Sequence, residues 1–327
     1  MRILVSGGAG YIGSHAVRLF LERGHHVVVY DNLSAGHRQA VPSDRLVVGD
    51  LADVDRLDQL VVGERIEAVV HFAALASVPE SLREPGKYYR VNLVHALNLL
   101  ECLRRNGVRR FVFSSSCAVY GVPDRVPITE GAPPRPTHPY GATKWAVEQA
   151  LTAYAMAYGW GCASLRYFNA AGAHVDGSLG EDHAPETHLI PLAIQAVLGR
   201  RAAVEVCGTD YPTPDGTCIR DYVHVDDLAE AHLLALEGLQ GGTHRPFNLG
   251  IGRGYSVREV LQTVAEVCGA DVPTRDAPRR PGDPPALVAD AERARRELGW
   301  QPRYDTLRSI IETAWNWHRT HPNGFGN

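Results

Sequence analysis

Tyr140 and Lys144 stand four residues apart in the stretch Tyr140-Gly141-Ala142-Thr143-Lys144. On a helix, residues at that spacing share a face, so a phenol and an ammonium point at one locus. Such a pair suits a base that takes a proton from an alcohol or sugar hydroxyl. A free phenol, with a pKa of roughly 10, is too protonated for that work at neutral pH. A neighbouring ammonium favours the phenolate and is expected to bring that value down. Lysine is a compact point charge, and the planar fork of arginine would fill the space differently. Chance explains the pair poorly: 13 tyrosines and two lysines in 327 residues give about 0.08 such pairs in a shuffled chain. The lysine is also rare. Of 33 basic residues only Lys87 and Lys144 are lysine, so a position that keeps it against the bias is expected to need it.

Ser114-Ser115-Ser116-Cys117 follows an apolar run and offers hydroxyls that could share the proton's path with Tyr140. Cys117 has no histidine placed to activate it as a nucleophile. A second constellation lies near the amino terminus. Gly7, Gly10 and Gly13 recur in Gly7-Gly8-Ala9-Gly10-Tyr11-Ile12-Gly13, directly after the first apolar run. Glycines there permit a tight turn and close backbone approach to a pyrophosphate, with free N–H donors at the following helix start. Asp31 closes the second apolar run, 21 residues beyond Gly10. An acid at that spacing bonds both hydroxyls of an adenosine ribose and repels a 2′-phosphate, which favours NAD over NADP. Asp50 could bond the adenine amino group, or serve only its turn. Asn92 has backbone bonding as its plain alternative.

These groups need a scaffold. Residues 3–5, 26–30, 45–48, 68–72 and 110–113 are apolar throughout, as parallel strands covered on both faces are. Helical patterns at 13–23, 88–106 and 140–158 alternate with them. The fold class is therefore α/β, a doubly wound parallel sheet. The 88–106 helix is apolar around too much of its circumference for one-sided burial, so a dimer partner or another helix should cover it. After Ala173, long Gly-, Pro- and Asp-rich stretches predict a smaller lobe poor in regular elements. The runs 220–225 and 246–250 could return to the main sheet.

A net charge of -4 gives no electrostatic footprint for nucleic acid or an acidic membrane surface. No apolar run approaches the roughly 18 residues needed to cross a bilayer. Six scattered cysteines lack any Cys-x-x-Cys pair and fit reduced thiols in the cytoplasm. The first strand pattern begins at Arg2, which leaves no room for a signal peptide. The 15 histidines are spread thinly, and pairs such as His183 and His188 have no evident ligand cluster, so no metal is expected.

The glycine turn, Tyr30-Asp31-Asn32-Leu33, Ser114-Ser115-Ser116, Tyr140-x-x-x-Lys144 and Leu165-Arg166-Tyr167-Phe168-Asn169 together resemble the extended short-chain dehydrogenase/reductase family. Gly180-Glu181-Asp182, Gly208 to Thr213, Asp215-Gly216-Thr217, Arg220 to Val225 and Ala277 to Asp283 are similar to its UDP-glucose 4-epimerase branch. The resemblance covers essentially the whole chain. It implies a Rossmann-like domain over 1–170, with returning segments near 219–250, and a C-terminal α/β substrate lobe over 171–327. It implies a tightly held NAD, a UDP-sugar substrate, 4-epimerisation through a 4-keto sugar, and a homodimer. Tyr140, Lys144 and Ser116 would then be catalytic. Gly7, Gly10, Tyr11, Ile12, Gly13, Asp31, Asn32, Asp50, Leu51, Phe72, Ala73, Ala74, Asn92, Tyr140, Lys144 and Phe168 would line the cofactor. Ser116, Tyr140, Asn169, His188, Val206, Cys207, Arg220, Arg280, Asp283 and Leu287 would meet the substrate.

Four positions depart from the branch's pattern. Ala76 replaces a lysine often found near NAD, His188 an asparagine against the substrate, and Cys207 an aromatic over the uracil. Leu287, at the gate of the sugar pocket, is intermediate in size and leaves N-acetyl sugars open. UDP-glucuronate and UDP-pentoses also stay open, as does a non-catalytic dinucleotide sensor. A 4,6-dehydratase needs an acid and a base beside the serine position, where this chain has Cys117 and Ala118.

Overall fold

A computed structural model describes residues 1–280 and 282–326; Pro281, inside the Ala277–Asp283 motif, and Asn327 lie outside them. Six strands come first: β1 (Arg2–Ser6), β2 (His26–Asp31), β3 (Leu46–Val48), β4 (Ala68–His71), β5 (Arg110–Ser114) and β6 (Gly161–Tyr167). They are followed by β7 (Asn169–Ala171), β8 (Val204–Cys207), β9 (Ile219–His224) and β10 (Thr243–Leu249). The last are β11 (Gly254–Ser256), β12 (Thr274–Ala277) and β13 (Ala286–Leu287). The main sheet is seven-stranded and parallel, in the order β10-β6-β5-β4-β1-β2-β3. It is doubly wound, as the apolar runs predicted. Ile3, Val5, Val27 and Val29 enter one core, while Leu4, Val28 and Tyr30 enter the other. Successive side chains on a strand point to opposite faces, so runs that are apolar throughout feed both layers.

Two strand expectations change. Residues 246–250 do return, as β10 beside β6, with Leu249 opposite Tyr167. Residues 220–225 do not: β9 pairs with β7, β11 and β13 in a separate small sheet. Its backbone is claimed there by Asn169 opposite Tyr222 and Leu287 opposite Arg220. The region beyond Ala173 is also richer in regular elements than its turn-rich stretches predicted. Helices Leu189–Val197, Val257–Cys268 and Leu307–Thr320 pack on one another around a third core. The helix Val225–Glu237 lies against Tyr11–Glu22 beneath the main sheet.

The long helix Pro139–Tyr158 starts with Pro139 after its cap His138, whose Nδ1 accepts from Gly141 N at 3.1 Å. Proline at the first helical position loses nothing, since that N–H has no partner in a helix. The expected 88–106 helix is present, with a π-helical turn inside it. An α-helical segment Pro85–Tyr88 runs through the π turn Tyr89–Val94 into an α-helix His95–Arg105, the backbone staying helical at each junction. The π turn packs against Pro139–Tyr158, so another helix of the chain covers part of the apolar circumference.

Glu148 and Arg166 join that long helix to β6. Their side chains are 0% and 4% exposed, with Nη2 to Oε2 at 2.6 Å. Ser115 Oγ donates to Glu148 at 2.5 Å, and Arg166 Nη1 donates to the Tyr120 hydroxyl at 2.9 Å. Tyr120 donates to Asn248 Oδ1 on β10 at 2.7 Å. Removing one member of a buried pair strands the other charge, at a cost of about 3–5 kcal/mol. Glu148→Gln is therefore expected to lose that much stability in urea unfolding. The double variant Glu148→Leu/Arg166→Met should lose clearly less, and an equal loss would contradict this account.

Candidate active site

The carboxyl ends of the parallel strands collect the sequence-predicted groups along one edge, where doubly wound sheets bind ligands. The turn after β1 is one glycine surface pressed against the chain. A Cβ on Gly7, which has φ +74°, would lie 2.4 Å from Ala73 N. A Cβ on Gly13 would lie 2.3 Å from Gly7 O, so the helix Tyr11–Glu22 could not approach the turn so closely. Gly10 differs: its Cβ would meet only Gly7 O, at 3.4 Å, so that face of the turn stands open. The helix beginning at Tyr11 has no side-chain cap, which leaves first-turn N–H groups of Tyr11, Ile12 and Gly13 for an anion. An open cradle over uncapped donors fits a dinucleotide pyrophosphate.

Asp31 is buried at the end of β2 and accepts from Ala9 N at 2.9 Å and Leu33 N at 2.8 Å. Burial raises its pKa and the two N–H bonds oppose the rise. Asn32 donates to Asp50 Oδ2 at 2.7 Å, so these three polar residues form one group beyond β2 and β3. Leu51 is buried behind Asp50. Phe72 and Ala73 bond Ser6 O through their N–H groups at 2.8 and 3.0 Å, which lays 72–74 beside the glycine turn. Asn92 takes its plain alternative. Its side chain accepts from Leu75 N at 2.8 Å and donates to Leu75 O at 3.0 Å, fixing the segment after Ala74. Tyr11 donates to Gly172 O at 2.6 Å.

The three serines separate cleanly. Ser114 Oγ meets the Tyr167 hydroxyl at 2.7 Å and Ser115 is held by Glu148. Ser116 caps the next turn, accepting from Ala118 N at 3.2 Å, and its hydroxyl faces the Tyr140 phenol. Lys144 Nζ donates to Ser114 O at 2.8 Å and lies 5.9 Å from the centre of the Tyr140 ring. The expected lowering of the phenol by the ammonium is absent from the chain by itself. Burial pushes Tyr140 well above its ordinary value, and only the Ser116 contact opposes this rise among the leading causes. Burial likewise pulls Lys144 down to about 7, against the pull of Glu148. Desolvation outweighs the mutual attraction because it penalises each charged form separately.

The expected substrate residues are brought together in part. Asn169 and Arg220 sit on β7 and β9 of the small sheet, and Arg220 Nη2 donates to Asp283 Oδ1 at 2.9 Å. Leu287 packs with Cys117 and Phe168 in one apolar cluster, beside the turn that Ser116 opens. Val206 is buried in the third core, and Cys207 is half-buried on β8. Arg280 is exposed. His188 directs Nδ1 to Glu181 Oε1 at 2.6 Å. The expectation that His183 and His188 lack accompanying ligands is overturned. Glu181, His183, Glu186 and His188 converge, their ligand atoms all within 4.8 Å of one another. Burial would lower both histidines, but the two carboxylates raise His183 to about 9 and His188 to about 10.

A family model described as the NAD dependent epimerase/dehydratase family matches residues 3–250. The chain belongs to that family. It is 50% identical to a UDP-glucose 4-epimerase of Lacticaseibacillus casei, over all of this chain and 99% of that one. It is 51% identical to one from Corynebacterium glutamicum, over 96% of this chain and 95% of the relative. A solved UDP-glucose 4-epimerase from Brucella ovis, in complex with NAD, superposes with a TM-score of 0.92 at 50% identity. That alignment covers 96% of this chain and 97% of the other. Sequence reasoning missed Glu148, although it continues the four-residue series from Tyr140 through Lys144. It also missed Glu181 and Glu186, whose loop carries no periodic signal.

Lys144 gives this member of the family a pH signature. Its folded value of about 7 lies below the ordinary 10.5, so between them the unfolded chain binds more protons. This residue's contribution to stability therefore rises with pH through that window and is flat, and unfavourable, below it. In the absence of dinucleotide, Lys144→Met should be more stable than the parent. The advantage should shrink by about 2 kcal/mol from pH 7 to pH 9, read by denaturant unfolding at each pH. An advantage independent of pH would refute the assignment.

Proposed function

We propose that the chain catalyses NAD-dependent 4-epimerisation of a UDP-hexose, interconverting UDP-glucose and UDP-galactose through a 4-keto intermediate. The observation that carries this reading is the meeting of Ser116, Tyr140 and Lys144 beside the open glycine cradle. The full-length relatives named for that activity support it. NAD, when bound, would supply a reversible hydride acceptor. Tyr11, Ile12 and Gly13 would hold its pyrophosphate through N–H groups, and Asp31, Asn32 and Asp50 its adenosine. The remaining chemistry belongs to side chains. Tyr140 removes the proton of the sugar 4-hydroxyl and returns it, and Ser116 hydrogen-bonds the same oxygen. Lys144 supplies a compact positive charge at the phenol from a fixed seat on Ser114 O.

Residues 1–170 with the returning β10 form the dinucleotide unit in this proposal, and 171–327 the substrate lobe. Asn169, Arg220 and Arg280 grip the nucleotide, the arginines through the diphosphate. Asp283 orients Arg220. The hexose meets no comparable ionic grip, which suits a keto sugar that must present both faces. Leu287, buried against Cys117 and Phe168, forms the apolar wall of the sugar pocket.

Two copies are proposed to associate. Tyr89 and Val94 are 43% and 48% exposed, and Met156 and Tyr158 are 80% and 43% exposed, on helical segments adjacent in the fold. Exposed apolar side chains spaced along paired helices favour a second copy as cover. The cytoplasm is the proposed compartment, in keeping with six free cysteines. No helix of the described residues is long and apolar enough to cross a membrane.

Purified protein should convert UDP-galactose to UDP-glucose with NAD and no added reductant, followed by chromatography of the sugar nucleotides. Absence of the epimer would overturn the proposal. Tyr140→Phe should keep the bound dinucleotide while turnover falls by about 100-fold or more, the size of a lost acid–base group. Loss of the dinucleotide with turnover per cofactor retained would contradict the role assigned to Tyr140.

A further inference from the structure

We propose that Glu181, His183, Glu186 and His188 bind one divalent transition-metal ion of the zinc type, which pins their loop beside the dinucleotide turn. All four come from a single eight-residue stretch between β7 and the helix Leu189–Val197. None belongs to the Ser116, Tyr140 and Lys144 set, so the ion is structural, and His188, which the resemblance placed against the substrate, is committed here to the ion instead.

The spacing of the donors carries the argument. A tetrahedral ion with bonds of about 2.0–2.1 Å separates its ligands by about 3.3–3.4 Å. His188 Nδ1 lies 2.6 Å from Glu181 Oε1 and 3.3 Å from Glu186 Oε1. His183 Nδ1 lies 3.1 Å from Glu181 Oε1 and 3.6 Å from Glu186 Oε2. Glu186 turns a different oxygen to each imidazole, and with one donor atom from each residue all four lie within 4.8 Å of one another, so modest shifts would accommodate an ion between them. Two imidazoles with two carboxylates select the zinc class over calcium or magnesium, which take oxygen ligands.

Charge and access agree with that choice. The Glu181 and Glu186 side chains are 3% and 5% exposed, and two buried carboxylates need two positive charges nearby. Both imidazoles supply them in the free chain by staying protonated, and one divalent ion would balance the same charge as it displaces those protons. His183 and His188 remain 30% and 48% exposed, and a cavity of about 330 Å³ lined by Glu181, His183, Glu186 and His318 adjoins them. An ion thus has a route in. The donors are also braced. Glu186 Oε1 accepts from Thr187 N and His188 N at 2.6 and 2.8 Å, and Trp317 Nε1 donates to Glu181 O at 3.1 Å. The His183 ring stands edge-on to Tyr11, 6.1 Å between centres, at the start of the dinucleotide-binding helix.

The test uses the full-length chain, stripped with EDTA and dialysed into metal-free buffer. Zinc chloride is titrated by calorimetry, cobalt(II) is followed by its visible absorption, and Tm is recorded with and without each ion. The expected result is one ion per chain, four-coordinate cobalt bands and a raised Tm. His183→Gln and Glu186→Gln should each weaken zinc binding by about tenfold or more and abolish the Tm rise. Both are close in size to the native residues, and circular dichroism reports whether they fold. If the stripped parent takes up neither ion, the cluster is a plain ion-pair network and the proposal fails. It fails equally if both folded variants bind zinc as the parent does.

Discussion

The buried Glu148–Arg166 pair is the constraint on which the active edge of this fold depends. Glu148 lies one turn beyond Lys144 and two beyond Tyr140 on a helix that Lys144 also ties to Ser114 O. Its carboxylate is fixed by Arg166 from β6 and by Ser115 from the end of β5. One group thereby sets the rotation of the helix and the seat of the serine loop. A shift along the helix by one residue would turn Tyr140 by about 100° and carry Lys144 away from Ser114 O. Apolar contacts could not fix that register so tightly, because they tolerate sliding and charged hydrogen bonds do not. The pair extends outward through Tyr120 and Asn248 to β10, which ties the edge strand to the same frame.

With geometry settled, the electrostatics of the site are left unresolved on purpose. The chain buries a phenol and an amine together, and desolvation drives each toward its neutral form. A phenol held neutral is a poor base, and an amine near neutrality gives only part of a charge. A site of this kind works only when something positive and something hydroxylated enter it, as an oxidised dinucleotide and a sugar do. Burial then strengthens the same interactions that it opposed in the free chain. The unfavourable burial of Lys144 fits the role proposed for it, since stability and activity make opposite demands on such a position.

The sheet was legible because its strands are buried on both faces, and such runs carry their own signature. The glycine turn and the Tyr140–Lys144 spacing were legible because helix and turn geometry link sequence distance to direction. β6 was read only as part of a motif, since Gly161-Cys162-Ala163-Ser164 lacks the β-branched residues of its neighbours. The helices beyond Ala173 were obscured by the Gly- and Pro-rich loops between them. β9 was assigned to the wrong sheet because an apolar run states that a strand is buried, not which strands flank it. Among site residues, those that belong to a motif of fixed spacing were found. Glu148, whose partners are 18 and 33 residues away, was not.

The histidine–glutamate loop shows the same limit from the other side. Its four donors are near in sequence, yet a spacing of two, three and two residues matches neither a helix face nor a strand face. Only an irregular backbone brings them together, and irregular backbone needs external support. That support comes from two directions: Trp317 of the last helix holds Glu181 O, and Tyr11 of the first helix stands against His183 and bonds Gly172 O. The loop therefore lies between the chain's amino-terminal and carboxy-terminal helices and reports the position of both. Holding it rigid fixes the Tyr11 ring, and with it the first turn, whose N–H groups carry no side-chain cap. Loop order and the start of the first helix are in this way parts of one mechanical arrangement, joined at Tyr11.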